Sequence, residues 1–304
     1  MNATNLDAPQ LAGRIAVVTG TGGLGFEAAT ALAALGAEVI LAGRNPQKGD
    51  EAVARIKDAW FGAKAAFEPL DLASLRSVAE FAERLSSRVG HVDLLVNNAG
   101  IMSPPRRELT ADGFELQFGV NYLGHFALTA RLLPLLRRSA APRVVSVTSL
   151  AHRYAAMNFD DLQSARRYQA GRAYCQSKLA QALFAVELQR RSEQAGWGLA
   201  SLAAHPGYAG TDLFQNGQGA RSLSNLLSRH LIVPLIGQSA EAGARPILYA
   251  AISDRAGGGE LYGPTGFMQM KGPPGPNDFA PAAKDLAVAA RLWSLSEDLA
   301  QVRF

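Results

Sequence analysis

The first two-thirds of the chain alternate short apolar, β-branched segments with longer segments of helical periodicity. Six segments have the composition of strands: residues 14–19, 38–42, 65–70, 92–97, 143–148 and 199–204. Six others have the periodicity of helices: residues 24–35, 46–60, 74–88, 112–136, 173–194 and 239–252. Most connections are long enough for a crossover helix, which parallel strands require. The alternation therefore predicts an α/β fold: a doubly wound parallel sheet between two helical layers, giving three layers (α/β/α).

The C-terminal part of the chain departs from this alternation. Residues 257–281 are rich in Gly and Pro, and a short helix candidate follows at residues 283–295. We interpret this part as a C-terminal extension from about residue 264 rather than as a second domain. With 304 residues, of which 48% are hydrophobic, the chain can bury one sizeable core. We therefore predict a single domain over residues 1–304.

Composition narrows the class of partner and the compartment. The formal net charge is +4, but the Lys and Arg residues are scattered and form no basic block, so a phosphate-bearing cofactor explains the charge at least as well as a nucleic-acid partner, and we expect no nucleic acid. The only cysteine, Cys175, excludes an internal disulfide and is typical of a reducing compartment. Residues 1–11 lack the pattern of a secretory signal, and no apolar segment is long enough to span a bilayer. We therefore expect a soluble, cytoplasmic protein without a membrane span.

A glycine-rich turn follows the first predicted strand and opens the first predicted helix. Its sequence is Thr19-Gly20-Thr21-Gly22-Gly23-Leu24-Gly25. Glycines at such a place let backbone N–H groups approach a pyrophosphate, and the helix N-terminus favours its negative charge. A glycine cluster alone is equally compatible with a tight turn that binds nothing, but its position after the first strand of an α/β pattern favours a nucleotide site.

The end of the second predicted strand indicates which nucleotide would bind. Enzymes that prefer NAD place an acidic residue there, on the ribose 2′-hydroxyl, whereas this chain has Ala42-Gly43-Arg44. The planar, permanently charged guanidinium of Arg44 suits a phosphate monoester. The sequence thus predicts NADP (NADPH) as the cofactor, with a solvated surface arginine as the alternative interpretation of Arg44.

Tyr174 and Lys178 stand four residues apart in a predicted helix, so their side chains leave the same face. A free phenol titrates near pH ~10, and a neighbouring ammonium favours the phenolate, which makes tyrosine a workable acid and base near neutrality. Such a pair also occurs by chance on many protein surfaces. Its meaning therefore depends on the other motifs.

Those motifs occur in an order that resembles the short-chain dehydrogenase/reductase family over nearly the whole chain. They are the glycine-rich turn, Asp71-Leu72, Asn97-Asn98-Ala99-Gly100, Asn121, Ser149, Tyr174-Cys175-Gln176-Ser177-Lys178, and Pro206-Gly207 with Thr211. The resemblance implies a Rossmann fold and an oxidoreductase that transfers a hydride between a nicotinamide and an alcohol/carbonyl group. The catalytic residues that it implies are Asn121, Ser149, Tyr174 and Lys178.

The resemblance also implies a role for each position. Ser149 binds the substrate oxygen, Tyr174 exchanges its proton, Lys178 lowers the tyrosine pKa and holds the nicotinamide ribose, and Asn121 anchors a water on the proton path. Asp71 contacts adenine and Thr211 the carboxamide. The implied cofactor-binding residues are Gly20, Gly23, Leu24, Gly25, Arg44, Asp71, Leu72, Asn98, Ala99, Gly100, Tyr174, Lys178, Pro206, Gly207 and Thr211.

Within the family, the sequence is most similar to retinol-dehydrogenase-like oxidoreductases. The shared segments are Asn121-Tyr122-Leu123-Gly124-His125-Phe126, Ser149-Leu150-Ala151-His152 and Ala173-Tyr174-Cys175-Gln176-Ser177-Lys178-Leu179-Ala180. Ser149 and Tyr174 are 25 residues apart, more than is usual in the family, which implies an insert beside the active site. The glycine-rich turn departs from the family: only two residues separate Gly20 from Gly23, where three are usual.

The substrate is less constrained by the sequence. The segment after Thr211, where such folds place a substrate lid, is rich in leucine and isoleucine at positions 223–236. These residues favour an apolar carbonyl or alcohol substrate, or they pack the lid onto the core or onto a neighbouring subunit. The sequence leaves the substrate, the reaction direction and the oligomeric state open, a homo-oligomer included.

Two other classes of function compete with a dehydrogenase. One is a non-catalytic NADP-binding regulator, which only the shortened turn favours. The other is an epimerase or dehydratase that uses the same Tyr/Lys pair. We expect no metal, because His125 and His205 have no second ligand at a chelating spacing.

Overall fold

The computed structural model describes residues 10–208 and 238–304 and shows one eight-stranded sheet. The strand order is β3-β2-β1-β4-β5-β6-β7-β8; the first seven strands are parallel, and β8 pairs antiparallel with β7. The strands are β1 (Ile15–Thr19), β2 (Glu38–Gly43), β3 (Ala65–Pro69), β4 (Leu94–Asn97), β5 (Arg143–Val147), β6 (Ala200–Ala204), β7 (Leu261–Pro264) and β8 (Pro274–Asn277).

Helices cover both faces of this sheet, which confirms the predicted three-layer, doubly wound architecture. They are α1 (Gly23–Ala34), α2 (Pro46–Ala59), α3 (Leu75–Arg88), α4 (Gly124–Leu136), α5 (Ala170–Ala195), α6 (Ala240–Ile252) and α7 (Leu286–Ala300). One apolar core lies between the sheet and α1, α2 and α6. The other lies between the sheet and α3, α4, α5 and α7.

The C-terminal helix α7 packs against α4 and α5 through buried aromatic rings. Trp293 stacks on Phe184 with ring centroids 5.8 Å apart and meets the edge of Phe126 at 5.0 Å. Aromatic rings of this size contribute strongly to a core because each buries a large apolar area. The contacts fix α5, the helix that carries Tyr174 and Lys178, from the side facing away from the sheet.

Two parts of the fold differ from the sequence-based prediction. Strands β7 and β8 were not predicted, because each has four residues and both contain Gly and Pro; β8 lies at the sheet edge, where proline costs no central hydrogen bond. The predicted helix 112–136 begins too early: the helical part starts at Leu116, passes through a π-helix at Phe118–Leu123, and continues as α4. The six strands that were predicted correspond to β1–β6 and agree with the structure to within about two residues at each end.

The strand order reverses between β1 and β4, which begin the two halves of the sheet. In open α/β sheets, ligands bind at such a switch point, outside the carboxyl ends of the strands. The glycine-rich turn follows β1, Arg44 follows β2, and Ser149 follows β5, so all three lie at this carboxyl edge.

Candidate active site

Ser149 and Tyr174 meet at the carboxyl edge of β5. Ser149 caps a 3₁₀ turn, Leu150–Tyr154, and its Oγ accepts a hydrogen bond from the backbone N–H of Ala151 at 3.2 Å. The Ser149 side chain also lies beside the hydroxyl of Tyr174, which lies in the first turns of α5. A hydroxyl pair of this kind can hold one carbonyl or alcohol oxygen from two directions.

The Tyr174 hydroxyl is a weak acid in this arrangement. Burial raises the pKa of Tyr174 to about 12, and the neighbouring Ser149 hydroxyl offsets only part of this increase. The expectation that Lys178 lowers this pKa is not met, because the lysine Nζ lies 5.7 Å from the centroid of the tyrosine ring and is bonded elsewhere. At neutral pH Tyr174 is therefore protonated and can act as an acid.

Lys178 is buried one helical turn beyond Tyr174. Its Nζ donates to the carbonyl oxygen of Val147 at 3.1 Å and to Oε1 of Gln181 at 2.8 Å. Burial lowers the pKa of Lys178 to about 7, because the ammonium loses its water shell. The lysine is thus poised between its charged and neutral forms near physiological pH.

Asn121 lies in the π-helix, and its side-chain amide is fully used by neighbouring groups. Oδ1 accepts from the N–H of Ile101 at 2.8 Å, and Nδ2 donates to the Ile101 carbonyl at 3.0 Å and to Oγ of Ser177 at 2.9 Å. Ser177 in turn donates to the carbonyl oxygen of Tyr174 at 2.8 Å. Single-turn π-helices are often found at functional sites, and this one connects Asn121 to the helix that carries Tyr174.

The Asn-Asn-Ala-Gly segment lies directly against these residues. The N–H groups of Asn98 and Ala99 both donate to Oγ1 of Thr19 at 2.9 Å. A Cβ atom added at Gly100 would lie 3.2 Å from Oδ1 of Asn121 and 3.7 Å from Nζ of Lys178. The segment therefore brings the end of β4 close to both the first strand and Lys178.

The glycine-rich turn has backbone conformations and close approaches that require glycine. Gly20 has φ +96° and Gly23 φ +50°, which favour glycine. A Cβ at Gly25 would come within 2.4 Å of the Gly20 carbonyl oxygen and 2.5 Å of Nδ2 of Asn98. Gly22 is the N-cap of α1 and offers no side chain to the first N–H groups of the helix, so these donors are open to an anion.

The adenosine end of the candidate site lies beside β2 and β3. Arg44 follows β2, is exposed, and makes no hydrogen bond or ion pair within residues 10–208 and 238–304. The adjacent Thr21 packs on Gly43, where a Cβ would lie 3.0 Å from Cγ2 of the threonine. Asp71 follows β3, and its Oδ1 accepts from the N–H of Ala73 at 2.9 Å, while Leu72 next to it is buried.

Two histidines fix the other end of the site. His152 Nδ1 donates to the carbonyl oxygen of Ser149 at 2.6 Å, and its Nε2 accepts from the N–H of Ala280 at 3.2 Å. His205 Nδ1 accepts from the N–H of Gly207 at 3.2 Å. Burial lowers the pKa of both rings, that of His205 to about 3, so both are neutral near pH 7. His152 thus connects the C-terminal extension, through Ala280, to the main chain of Ser149.

The remaining predicted residues are placed as follows. Pro206 and Gly207 follow β6 at the same edge, and Gly207 has φ +66°. A Cβ at Gly207 would lie 2.3 Å from the Met270 carbonyl oxygen, so the C-terminal extension packs closely here. Thr211 and the leucine-rich positions 223–236 lie outside the described residues.

Comparisons with known proteins decide the family. A family model described as short chain dehydrogenase matches residues 14–221. The chain is a short-chain dehydrogenase. It is 40% identical over 293 residues to human retinol dehydrogenase 13, a match that covers 94% of this chain and 84% of that protein. It is also 40% identical over 257 residues to human polyprenol dehydrogenase, covering 82% of this chain and 76% of that protein.

Solved structures agree with this membership of the short-chain dehydrogenase family. An uncharacterised protein from Mycobacterium paratuberculosis has 41% identity and a TM-score of 0.81, over 100% of this chain and 98% of that chain. The Pseudomonas aeruginosa RhlG/NADP active-site complex has 26% identity and a TM-score of 0.65, over 83% of this chain and 94% of that chain. The predicted family resemblance, including its likeness to retinol dehydrogenases, is confirmed.

Several contacts of this short-chain dehydrogenase were not predicted from sequence. They include the bond between Lys178 and Gln181, the bonds of His152, and the π-helix around Asn121. Among the described residues, no three His, Cys, Asp or Glu side chains are grouped so that they could hold a metal ion. In the same part of the chain, no helix is long and apolar enough to cross a membrane.

Proposed function

We propose that this short-chain dehydrogenase uses NADPH to reduce the carbonyl group of an apolar substrate, or NADP to oxidise the corresponding alcohol. The observation that carries the proposal is the juxtaposition of the Ser149 and Tyr174 side chains, with buried Lys178 one helical turn away. The pair lies at the carboxyl edge of the same sheet as the glycine-rich turn. This edge is where open α/β sheets bind ligands.

The residues divide the chemistry between them. Ser149 and Tyr174 both hydrogen-bond the substrate oxygen, and Tyr174 donates its proton to that oxygen during reduction. We assign Lys178, one turn away on the same helix, to the nicotinamide ribose. When bound, the nicotinamide supplies the hydride for the carbonyl carbon. Asn121 holds the first turns of α5 in position, because its amide donates to Ser177, which in turn donates to the carbonyl oxygen of Tyr174.

The proposed preference for NADP rests on the charge beside the adenosine ribose. Arg44 is an exposed cation at the end of β2, where NAD-preferring enzymes have an acid. It adjoins the N-terminus of α2, whose N-cap is Asn45 and whose partial positive charge also favours a phosphate. A related solved structure, the RhlG complex, contains NADP.

The proposed apolar substrate rests on the surface next to the catalytic edge. The loop that follows β7 at this edge exposes two large apolar side chains, Phe267 at 82% and Met268 at 61%. The loop contacts the 3₁₀ turn that follows Ser149, because Arg153 in that turn donates to Oε1 of Gln269 in the loop at 2.7 Å. Two of the relatives named above are named for retinol and polyprenol, which are apolar alcohols.

A panel of carbonyl compounds tests the proposal. NADPH oxidation should be fastest with long-chain or ring-bearing aldehydes and ketones and slow with small polar ones. Tyr174→Phe should abolish turnover with the best substrate yet still bind NADPH, because the ring keeps its place while the proton is lost. Tyr249→Phe, in helix α6 on the other face of the sheet, is the matched control and should keep full activity. Turnover above a tenth of wild type in Tyr174→Phe would contradict the assignment.

A further inference from the structure

His125 is a buried histidine with both ring nitrogens bonded, and the reaction proposed above does not use it. It lies in the first turn of α4, immediately after the π-helix, and only 2% of its surface is exposed. Nδ1 lies 2.9 Å from the main-chain carbonyl oxygen of Asn121, and Nε2 lies 2.9 Å from Oγ1 of Thr19. The ring thus connects the catalytic asparagine to the strand that precedes the glycine-rich turn.

Donor and acceptor chemistry fixes the direction of these bonds. A carbonyl oxygen can only accept, so Nδ1 of His125 must carry the proton that binds Asn121. In the neutral ring the other nitrogen is then an acceptor, so the Thr19 hydroxyl donates to Nε2 at 2.9 Å in preference to the Val96 carbonyl oxygen, which lies farther away at 3.3 Å. The two lone pairs of the Thr19 oxygen accept from the N–H groups of Asn98 and Ala99. Each donor in this series of hydrogen bonds therefore has an acceptor.

The ring stays neutral over the pH range in which the enzyme would work. Burial lowers the pKa of His125 to about 4, and the nearby Lys178 charge lowers it further, against the opposing effect of the Asn121 carbonyl. A protonated ring would turn Nε2 into a donor and break its bond with the Thr19 hydroxyl. Burial thus preserves the arrangement that the bonds require.

The chain of bonds runs from the first strand to the catalytic tyrosine. From Thr19 it passes through His125 to the main chain of Asn121, whose amide then holds Ser177, which bonds the carbonyl oxygen of Tyr174. We propose that His125 is a positioning residue that holds the Asn121 main chain against the strand end carrying the glycine-rich turn, and so aligns Tyr174 with the bound cofactor. The proposal rests on the function proposed above.

A purely space-filling histidine would behave differently from a positioning one. Leucine fills much of the same volume but can make neither bond, whereas glutamine has one donor and one acceptor at comparable reach. Positioning therefore predicts that His125→Gln keeps most of the function that His125→Leu loses. Space-filling predicts that both variants are impaired to a similar degree.

The first experiment measures kcat, KM for NADPH and NADPH affinity by titration calorimetry in both variants. For His125→Leu we expect kcat to fall about tenfold or more and NADPH affinity about fivefold, since one aligning bond of about 1.4 kcal/mol corresponds to tenfold. His125→Gln should stay within about threefold of wild type on both measures. Equal impairment of the two variants, or a folded His125→Leu with kcat and affinity within twofold of wild type, would overturn the proposal.

The partner of His125 provides a second test that does not depend on a leucine variant that folds. Thr19→Ser keeps the hydroxyl and should behave like wild type, whereas Thr19→Val should lose activity and NADPH affinity. The double variant Thr19→Val/His125→Phe should be no worse than the more impaired of its two single variants, because each single change already removes the bond between the ring and the threonine hydroxyl. Fully additive losses would contradict the proposed coupling.

A nitrogen-15 NMR experiment on the wild-type protein separates this proposal from the proposed function. Between pH 5.5 and 8, the His125 ring should show a protonated Nδ1 and an unprotonated Nε2, with no titration. Detection of the Nε2-protonated tautomer would overturn the inference whatever the enzyme's substrate is. Conversely, the Nδ1-protonated tautomer with normal NADPH binding but no turnover of any carbonyl would support the inference while rejecting the proposed activity.

Discussion

The Nζ atom of Lys178 lies 2.8 Å from Oε1 of Gln181, less than one turn further along α5. The glutamine is 2% exposed, and its Nε2 has no hydrogen bond within the described residues. Its carbonyl oxygen partly replaces the water that the buried ammonium has lost. Gln181 therefore helps to set how much of Lys178 is charged near neutral pH.

Changing Gln181 should move the pH profile of carbonyl reduction in opposite directions for two substitutions. Gln181→Leu removes an acceptor, so the pKa of Lys178 should fall below about 7 and the alkaline limb of kcat/KM for NADPH should shift to lower pH. Gln181→Glu places an anion at the same position and should shift that limb to higher pH. Measurement of kcat/KM for NADPH from pH 5 to 9 in wild type and both variants checks this prediction. The titration of the cofactor is the same for all three proteins and therefore cancels when they are compared. Shifts in the same direction would refute it.

Removing the buried charge should make the protein more stable but inactive. Burial lowers the pKa of Lys178 from 10.5 to about 7, so between these values the unfolded chain binds a proton that the folded chain lacks. The free energy of unfolding of wild type should therefore rise with pH across this window. Lys178→Met should unfold at a higher urea concentration than wild type at pH 7. Its free energy of unfolding should be greater by about 1–3 kcal/mol, a figure that allows for the loss of the two hydrogen bonds of the lysine. The difference in the free energy of unfolding between the variant and wild type should decrease towards pH 10. A difference that does not change with pH would contradict this explanation.

Much of the candidate site could be predicted from the sequence because its residues lie next to strand ends. A parallel sheet gathers all its carboxyl ends at one edge, so Gly20, Arg44 and Ser149 meet there once the strands are known. Tyr174 and Lys178 share a helix face because of their four-residue spacing. These inferences need only local periodicity and the topology of the fold.

The contacts that could not be predicted join distant parts of the chain or depend on burial. Thr19 and His125 are 106 residues apart, and nothing in either local sequence indicates that they bond. The expectation of a lowered Tyr174 pKa failed for a similar reason, because it considered the neighbouring charge and not the burial of the phenol and the inward bonds of Lys178. Strand pairs such as β7 and β8 were missed because Gly and Pro weaken the local strand signal.

Arg44 should account for most of the preference for NADPH over NADH. A charge-assisted bond to a 2′-phosphate contributes about 1.5–3 kcal/mol, so Arg44→Ala should lower the ratio of kcat/KM for the two cofactors about ten- to hundredfold. Arg138→Ala is the matched control: Arg138 is exposed at the opposite edge of the sheet, where it donates to the Gly90 carbonyl. Equal use of the two cofactors by wild type would refute the preference for NADP.

The shortened glycine-rich turn should bind NADPH, but less tightly than a turn of the usual length. Gly20 and Gly23 keep the backbone conformations that a tight turn needs, and Gly25 packs where any side chain would collide with Gly20. The turn lacks one backbone unit, whose N–H would be a donor to the pyrophosphate or ribose, and one such bond to a charged group contributes about 1.5–3 kcal/mol. The uncapped N-terminus of α1 and Arg44 remain, and together they outweigh one missing donor.

Inserting Ala between Gly20 and Thr21 should therefore tighten NADPH binding, about tenfold if the added N–H reaches the phosphate. Titration calorimetry on wild type and the insertion variant measures this directly. An Ala inserted between Phe61 and Gly62 is the matched control, because that exposed turn precedes β3 at the other edge of the sheet and should leave affinity unchanged.

Gly25→Ala should abolish binding, since its Cβ would overlap the Gly20 carbonyl and Asn98. No detectable NADPH binding by folded wild-type protein would show that the missing backbone unit is decisive and would favour a different ligand.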